Sequence, residues 1–171
     1  EFESQPLSVF STFDAFSRIN PAVKAPTLVL DNGIRLMDSS LILNYFEAQA
    51  DPERRLLPVA PDAQANDLQT LGFILAAAEK AVQNVYEHNL RPVEKQHVSW
   101  VERITIQLLA ACREWSTLLE GRPATAVPDQ VAVTSTVVWT FIQSMIPQVV
   151  NAADFRTIQA FAESFESQSA F

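Results

Sequence analysis

Three consecutive polar residues, Asp38-Ser39-Ser40, stand directly before an apolar segment that begins at Leu41. Carboxylate and hydroxyl oxygens in such a position accept hydrogen bonds from the first free N–H groups of a helix. Those N–H groups, together with the helix dipole, also attract anions. The pattern therefore predicts a helix N-terminus that suits the carboxylate of a small ligand.

The residues before this segment predict the elements that position it. An extended stretch ends at Ala25-Pro26, and a short apolar strand follows over Thr27–Leu30. Asn32-Gly33 supplies the pair of positive φ angles that a tight hairpin requires. A second strand, Ile34–Met37, then leads into the polar residues. The extended stretch leaves unpaired backbone groups beside a helix N-terminus. This arrangement suits a small peptide with a carboxylate.

The flanking residues predict one further helix in this half of the chain and the extent of the helix that follows Asp38-Ser39-Ser40. Residues 1–7 have the character of the end of a strand, and a short helix runs from Ser11 to Ile19 with Asp14 completing an approximate capping box. Asn20-Pro21 ends that helix. A second helix runs from Ser40 to Gln49, with an apolar side expected to face a core: Leu41, Ile42, Tyr45 and Phe46.

The second half of the chain predicts four helices: Asp62–Asn89, Val93–Leu119, Asp129–Met145 and Asp154–Ser167. The apolar residues of the first recur at helical spacing: Leu68, Leu71, Leu75, Ala78, Val82 and Val85. Those of the second do so too: Val101, Ile104, Leu108, Cys112, Trp115 and Leu119. Asp62 and Asp129 are expected to cap helices, and Gly121 is expected to follow a helix C-terminus within a loop that ends at Pro128.

The stretch Asn20–Ser40 contains the pattern N-P-x-x-K-x-P-T-L, followed by an acidic residue and Ser-Ser. With this pattern and the helical sequence after it, the chain resembles the glutathione S-transferase superfamily, its bacterial members in particular. The resemblance implies a mixed α+β fold: an incomplete thioredoxin-like domain at residues 1–50, a linker at 51–61 and an all-α domain at 62–171. It also implies that the first strand and helix of the thioredoxin-like domain precede the given sequence.

The resemblance implies glutathione-binding roles for five residues. The Ala25-Pro26 bond is expected to be cis, so that the Ala25 backbone pairs with the cysteinyl part of glutathione as an added strand would. Asp38 is expected to accept a hydrogen bond from the ammonium of the γ-glutamyl group, and Ser39 to bind the carboxylate of that group. Lys24 is expected to meet the glycyl carboxylate.

The implied reaction is attack of the glutathione thiolate on a small apolar electrophile, with Tyr86 bordering the electrophile pocket. In the family, the Ser, Tyr or Cys that activates the thiol lies between the first strand and the first helix, so no catalytic residue of this chain is named. Two alternatives stay open: a non-catalytic binding or assembly module, and a glutathione-dependent thiol–disulfide oxidoreductase. A homodimer is expected in the transferase case.

Composition and residue spacing argue against several other classes of protein. The 171 residues carry a net charge of −8 without a cluster of Lys or Arg, so nucleic-acid binding is not expected. The longest apolar run is about eight residues, short of the ~20 that a membrane span needs. Cys112 is the single cysteine, which excludes an internal disulfide, favours a cytoplasmic protein and predicts a buried, inert thiol. His88 and His97 lie nine residues apart, a spacing that predicts no metal site.

Overall fold

The computed structural model describes residues 2–122 and 127–166. The chain divides into two compact units, with the boundary between Arg55 and Leu56. The elements of the first unit are α1 (Phe13–Ile19), β1 (Thr27–Val29), β2 (Arg35–Met37) and α2 (Ser39–Gln49). Those of the second unit are α3 (Pro61–Leu90), α4 (Val98–Leu119), α5 (Gln130–Met145) and α6 (Arg156–Glu166). The predicted fold class, a mixed α+β part followed by a helical part, is confirmed.

The hairpin between β1 and β2 differs from the predicted one. The N–H of Gly33 donates to the C=O of Leu30 at 2.8 Å, and the N–H of Leu30 donates to the C=O of Ile34 at 2.9 Å, so the loop has three residues. Within it only Gly33 has a positive φ, 82°. The expected pair of positive φ angles at Asn32-Gly33 is therefore wrong. In a three-residue loop, a single left-handed glycine suffices.

The start of the chain also differs from the prediction. Residues 2–7 form no strand; Pro6 lacks the N–H that a strand ladder needs. α1 begins at Phe13 instead of Ser11, and its N-cap makes no side-chain capping bond, so the expected capping box with Asp14 is wrong. Ser8 organises this turn instead. Its N–H donates to Thr12 Oγ1 at 2.7 Å, and its Oγ accepts the N–H of Ser11 at 3.1 Å.

α2 begins and ends close to its predicted bounds, but it buries less than expected. None of its side chains is fully buried. Leu41 is 62% exposed and Phe46 is 50% exposed, so the expectation that both face a core is wrong. The reason is the small size of the sheet, since two strands of three residues cannot cover a wide helix face. Ile42 and Tyr45 are half-buried.

The core of the second unit lies among its four helices. α3 packs along α4 and α5, and α6 packs on α5. Trp115 and Trp139 meet edge to face in this core, with ring centroids 6.1 Å apart. Such an arrangement suits the quadrupoles of two aromatic rings.

The apolar stripe predicted on α3 is wrong at two positions. Leu71 and Val85 are buried, whereas Leu68 and Leu75 are exposed. The helix turns a face with several polar members inward: Asp67, Thr70, Leu71, Ile74, Ala77, Ala81, Asn84, Val85 and Glu87. A prediction from hydrophobic periodicity ignores these buried polar residues. The predicted inward face is therefore turned about the helix axis relative to the observed one. α3 also begins at Pro61, with Ala60 at the N-cap, so the expected cap at Asp62 is wrong.

The stripe predicted on α4 is confirmed at five of its residues, which are buried: Ile104, Leu108, Cys112, Trp115 and Leu119. The helix begins later than predicted because His97 caps it, with Nδ1 accepting the N–H of Trp100 at 3.1 Å. Residues Val93–Lys95 form a separate 3-10 turn. Gly121 has a φ of 80° just past the helix end, as expected for a terminating glycine. Residues 123–126 of the predicted loop lie outside the described residues.

The last two helices follow their predicted order. Asp129 caps α5 as expected, with Oδ1 accepting the N–H of Ala132 at 2.8 Å. α6 starts at Arg156 instead of Asp154, because Ala152–Asp154 form a 3-10 turn of their own. The predicted end of this helix at residue 167 lies outside the described residues.

The prediction of a buried, inert thiol at Cys112 is confirmed. Its side chain is fully buried. Burial raises the pKa of the Cys112 thiol to about 12, against a smaller opposing influence of the Arg113 charge. The thiol is therefore neutral near pH 7 and has little nucleophilic character.

A partly buried ionic cluster joins three parts of the second unit. The guanidinium of Arg122 donates to Asp67 Oδ1 at 2.7 Å and to Asp67 Oδ2 at 3.1 Å. It also donates to Asp129 Oδ2 at 2.6 Å. Burial works to lower the pKa of Arg122, but the hydrogen bonds and charges of the two carboxylates outweigh it and raise the pKa. One arginine thereby fixes the loop after α4 to α3 and to the N-terminus of α5.

No helix in residues 2–122 and 127–166 combines the length and the apolar character that crossing a membrane demands. The described ranges also contain no group of three or more His, Cys, Asp or Glu residues able to hold a metal ion. His88 and His97 are both exposed.

Candidate functional site

The N-terminus of α2 carries the acidic residue and the serine that the sequence singles out. Asp38 is the N-cap, with Oδ1 accepting the N–H of Ser40 at 3.0 Å. Its other carboxylate oxygen, Oδ2, lies 3.2 Å from Nζ of Lys24. Ser39 follows as the first residue of the helix. The fold thus brings a cation, a carboxylate and a helix N-terminus together within the first unit.

The carboxyl group of Asp38 is held in its ionised form. Desolvation is the largest single influence on it and works to raise its pKa. Hydrogen bonds from Lys24 and from the N–H groups of Ser40 and Leu41, together with the Lys24 charge, outweigh that influence. The pKa of Asp38 is therefore below its ordinary value, and the group is a hydrogen-bond acceptor at neutral pH.

Ser39 offers two hydrogen-bond donors at the start of α2, its hydroxyl and its N–H. Its side chain is exposed. Within the part of the chain that the structure describes, neither its Oγ nor its N–H has a hydrogen-bond partner. The first N–H groups of a helix carry partial positive charge and point outward along its axis. This end of α2 can therefore accept a carboxylate.

The Ala25-Pro26 bond is cis, as predicted. Ala25 and Pro26 are exposed. No hydrogen bond of the Ala25 N–H or C=O is found among residues 2–122 and 127–166. Both groups are thus available to pair with an extended peptide, in the manner of an added strand.

Asn20 organises this loop, a role that the sequence does not reveal. Its side chain is 2% exposed; Oδ1 accepts the N–H of Ala22 at 3.0 Å, and Nδ2 donates to Thr27 Oγ1 at 2.8 Å. The Thr27 hydroxyl in turn donates to the C=O of Lys24 at 2.6 Å. The Asn20-Pro21 pair predicts only a helix end. The polar, buried position of the amide becomes apparent only when the loop is seen to fold back over it.

Backbone strain is concentrated around the same segment. Val23 has a φ of 46° and Asp38 a φ of 76°, and in the described ranges no other non-glycine residue has a positive φ. Such a conformation is unusual for a β-branched residue such as valine. Strained residues of this kind cluster at ligand-binding sites, where the surrounding structure maintains them.

Tyr86, predicted to border an electrophile pocket, belongs to the second unit. It lies in the last part of α3, and its side chain is 43% exposed. The other five predicted site residues, Lys24, Ala25, Pro26, Asp38 and Ser39, all belong to the first unit. Their contacts with glutathione stay predictions.

Comparison with known proteins bears on this geometry. Residues 1–54 match the family model described as the glutathione S-transferase N-terminal domain. A glutathione transferase family member from Pseudomonas fluorescens Pf-5, solved with bound glutathione, is 23% identical with a TM-score of 0.81, over 98% of this chain and 81% of that one. Residues 1–54 therefore match the N-terminal domain of that family. The predicted resemblance to glutathione S-transferases is confirmed.

Two other solved structures have similar folds. A glutathione S-transferase from Methylobacterium radiotolerans, in complex with glutathione sulfonate, is 20% identical with a TM-score of 0.86, over 96% of this chain and 78% of that one. Ure2p5 from Phanerochaete chrysosporium, cocrystallised with 1-(S-glutathionyl)-2,4-dinitrobenzene, is 17% identical with a TM-score of 0.76, over 99% of this chain and 79% of that one. At these identities the likeness establishes the transferase fold alone. No curated protein sequence matches the chain.

Proposed function

We propose that the protein binds reduced glutathione and conjugates it to a small apolar electrophile. The observation that carries this proposal is the ionised Asp38 at the N-cap of α2 beside the exposed side chain of Ser39. Glutathione carries an ammonium and a carboxylate on the α-carbon of its γ-glutamyl residue. Asp38 takes the ammonium, and the hydroxyl and N–H of Ser39 take the carboxylate. The exposed backbone of Ala25 beside Pro26 pairs with the cysteinyl part.

The local charge supports an anionic ligand despite the acidic chain. The net charge of −8 disfavours anions at long range. Lys24 and the N-terminus of α2 are local sources of positive potential at the site. The ammonium of Lys24 pairs with the glycyl carboxylate of the bound glutathione. Residues 1–50 are the glutathione-binding domain in this proposal, 51–61 the linker and 62–171 the helical domain.

In the proposed reaction, the glutathione sulfur forms a bond to an electrophilic carbon while the bond from that carbon to its leaving group breaks. The thiol proton goes to solvent. Tyr86 borders the pocket for the electrophile, and no residue of this chain is assigned the activation of the thiol. A cytoplasmic enzyme of detoxification fits this chemistry.

The reaction separates this proposal from its alternatives. Conjugation of an aryl halide at a rate above the uncatalysed one supports the transferase. Glutathione-dependent reduction of a mixed disulfide, without conjugation, supports the oxidoreductase. Glutathione binding without either reaction supports a binding module.

Replacing Ser39 with alanine tests the assignment of the γ-glutamyl carboxylate. Loss of a hydrogen bond to a charged group costs about 1.5–3 kcal/mol. We therefore expect titration calorimetry to give a dissociation constant for glutathione that is roughly 10- to 150-fold higher in Ser39→Ala.

The matched control is Ser164→Ala, because the hydroxyl of this exposed serine donates to the C=O of Phe161 on the surface of α6. Its affinity for glutathione should equal that of the unaltered protein. Equal affinities for Ser39→Ala and Ser164→Ala would refute the role of Ser39.

We further propose a homodimer, supported by the apolar residues that α2 leaves exposed. Leu41 and Phe46 are at least half exposed, and Val29 and Ile34 of the neighbouring hairpin are exposed as well. A specific isologous contact would bury more than ~1,000 Å². Light scattering at micromolar concentration should give twice the chain mass of 19.0 kDa. The variant Phe46→Glu should lower the measured mass toward that of the monomer. A monomeric mass for the unaltered protein would contradict the dimer.

A further inference from the structure

The contact between Lys24 and Asp38 occupies the carboxylate oxygen that a ligand ammonium needs. Asp38 Oδ1 is engaged by the N–H of Ser40 in the helix cap, and Oδ2 lies 3.2 Å from Lys24 Nζ. Two ammonium groups drawn to one carboxylate oxygen repel each other at short range. The side chain of Lys24 is therefore a competitor for the ligand ammonium.

We propose that Lys24 is a selectivity residue that exchanges partners, from Asp38 to a carboxylate at the far end of the ligand. This inference rests on the proposed glutathione site. A ligand with an ammonium at one end and a carboxylate at the other displaces Lys24 from Asp38 and gives it a new partner. A ligand with the ammonium but without the far carboxylate displaces Lys24 and gives it no new partner, so it binds more weakly.

The exposure of the pair makes such an exchange feasible. The side chain of Lys24 is 52% exposed and that of Asp38 is 40% exposed. Ion pairs with this much exposure are weak, so a ligand can open the contact. Lysine carries its charge on a flexible four-carbon stem, which lets Nζ move between two partners. The C=O of Lys24 is meanwhile fixed by the hydroxyl of Thr27, so the movement is confined to the side chain.

The exchange predicts an effect that a simple lysine–carboxylate contact does not. If Lys24 only bound the glycyl carboxylate, removing its charge would weaken glutathione and leave a ligand lacking that carboxylate unaffected. If Lys24 exchanges partners, removing its charge frees Asp38. The ligand lacking the carboxylate then binds more tightly, while glutathione loses one contact and is relieved of one competitor.

The test is titration calorimetry of the unaltered protein and Lys24→Gln with two ligands: glutathione and its glycyl monoethyl ester, which retains the ammonium and lacks the far carboxylate. We expect Lys24→Gln to bind the ester about two- to fivefold more tightly than the unaltered protein does. Its preference for glutathione over the ester should fall by at least the same factor.

Arg35→Gln is the matched control, since it removes one positive charge from an exposed position on β2 of the same unit. It should leave the ratio of the two affinities unchanged. An ester affinity that is unchanged or weaker in Lys24→Gln, with glutathione still bound by the unaltered protein, would overturn the exchange alone. Absence of binding of both ligands to the unaltered protein would overturn the proposed function and the exchange with it.

Discussion

Replacing Arg122 with methionine should lower the free energy of unfolding of the second unit by about 3–5 kcal/mol. The guanidinium is the shared partner of two carboxylates, Asp67 and Asp129. Asp67 is buried on α3, and Asp129 is half-buried at the start of α5. Without the arginine, two negative charges face each other in a region with little water. Urea unfolding, followed by the fluorescence of the buried Trp115 and Trp139, measures the loss.

Two further variants make this test specific. Arg103→Met removes an exposed arginine from α4 and should change the stability by less than about 0.5 kcal/mol. The double variant Arg122→Met with Asp67→Asn should recover part of the loss, because it removes one of the two unpaired charges. A loss below about 1 kcal/mol in Arg122→Met would show that the cluster contributes no more than a surface ion pair does.

Replacing Asn20 with alanine should have the second-largest effect, and it should act on both stability and binding. It removes the acceptor for the N–H of Ala22 and the donor to Thr27, both supplied by a side chain that is 2% exposed. Loss of these two bonds, at about 0.5–1.5 kcal/mol each, costs about 1–3 kcal/mol in total. Amide hydrogen exchange in β1 and β2 should accelerate accordingly.

The same change should weaken glutathione binding. The segment from Lys24 to Pro26 would have to be ordered by the ligand, at a cost of about 1–2 kcal/mol, which is roughly a 5- to 30-fold loss of affinity. Asn32→Ala is the matched control: its Oδ1 also accepts a backbone N–H, that of Ile34, but in the exposed hairpin loop. Similar losses in both variants would contradict an organising role for Asn20.

The sequence predicts those features of the site that depend on local chemistry. Asp38 and Ser39 stand at a helix N-terminus because their short polar side chains favour that position. The cis proline, Pro26, is recognised from its place in the pattern N-P-x-x-K-x-P-T-L. These properties belong to a few adjacent residues, so the stretch Asn20–Ser40 contains them.

Features that depend on tertiary contacts are not visible in the pattern. Asn20 acts through Thr27, seven residues away, and the pairing of Lys24 with Asp38 requires the hairpin to bring the two together. On α3 the inward face includes Asp67, because Arg122 meets it from 55 residues away. A stripe drawn through Leu68 and Leu75 misses this, since it weighs only apolar residues. Long-range polar pairing thus limits what periodicity alone predicts.

The central claim, that glutathione binds at the N-terminus of α2 and along the loop that ends in the cis proline, is tested most directly by nuclear magnetic resonance. Amide spectra of the 15N-labelled protein would be recorded during a titration with reduced glutathione. The account predicts that the amides of Ala25 and Ser39 shift most and saturate together, while those of α6 stay unchanged. Saturating shifts elsewhere with both of these amides unmoved, or no shifts at millimolar glutathione, would contradict it.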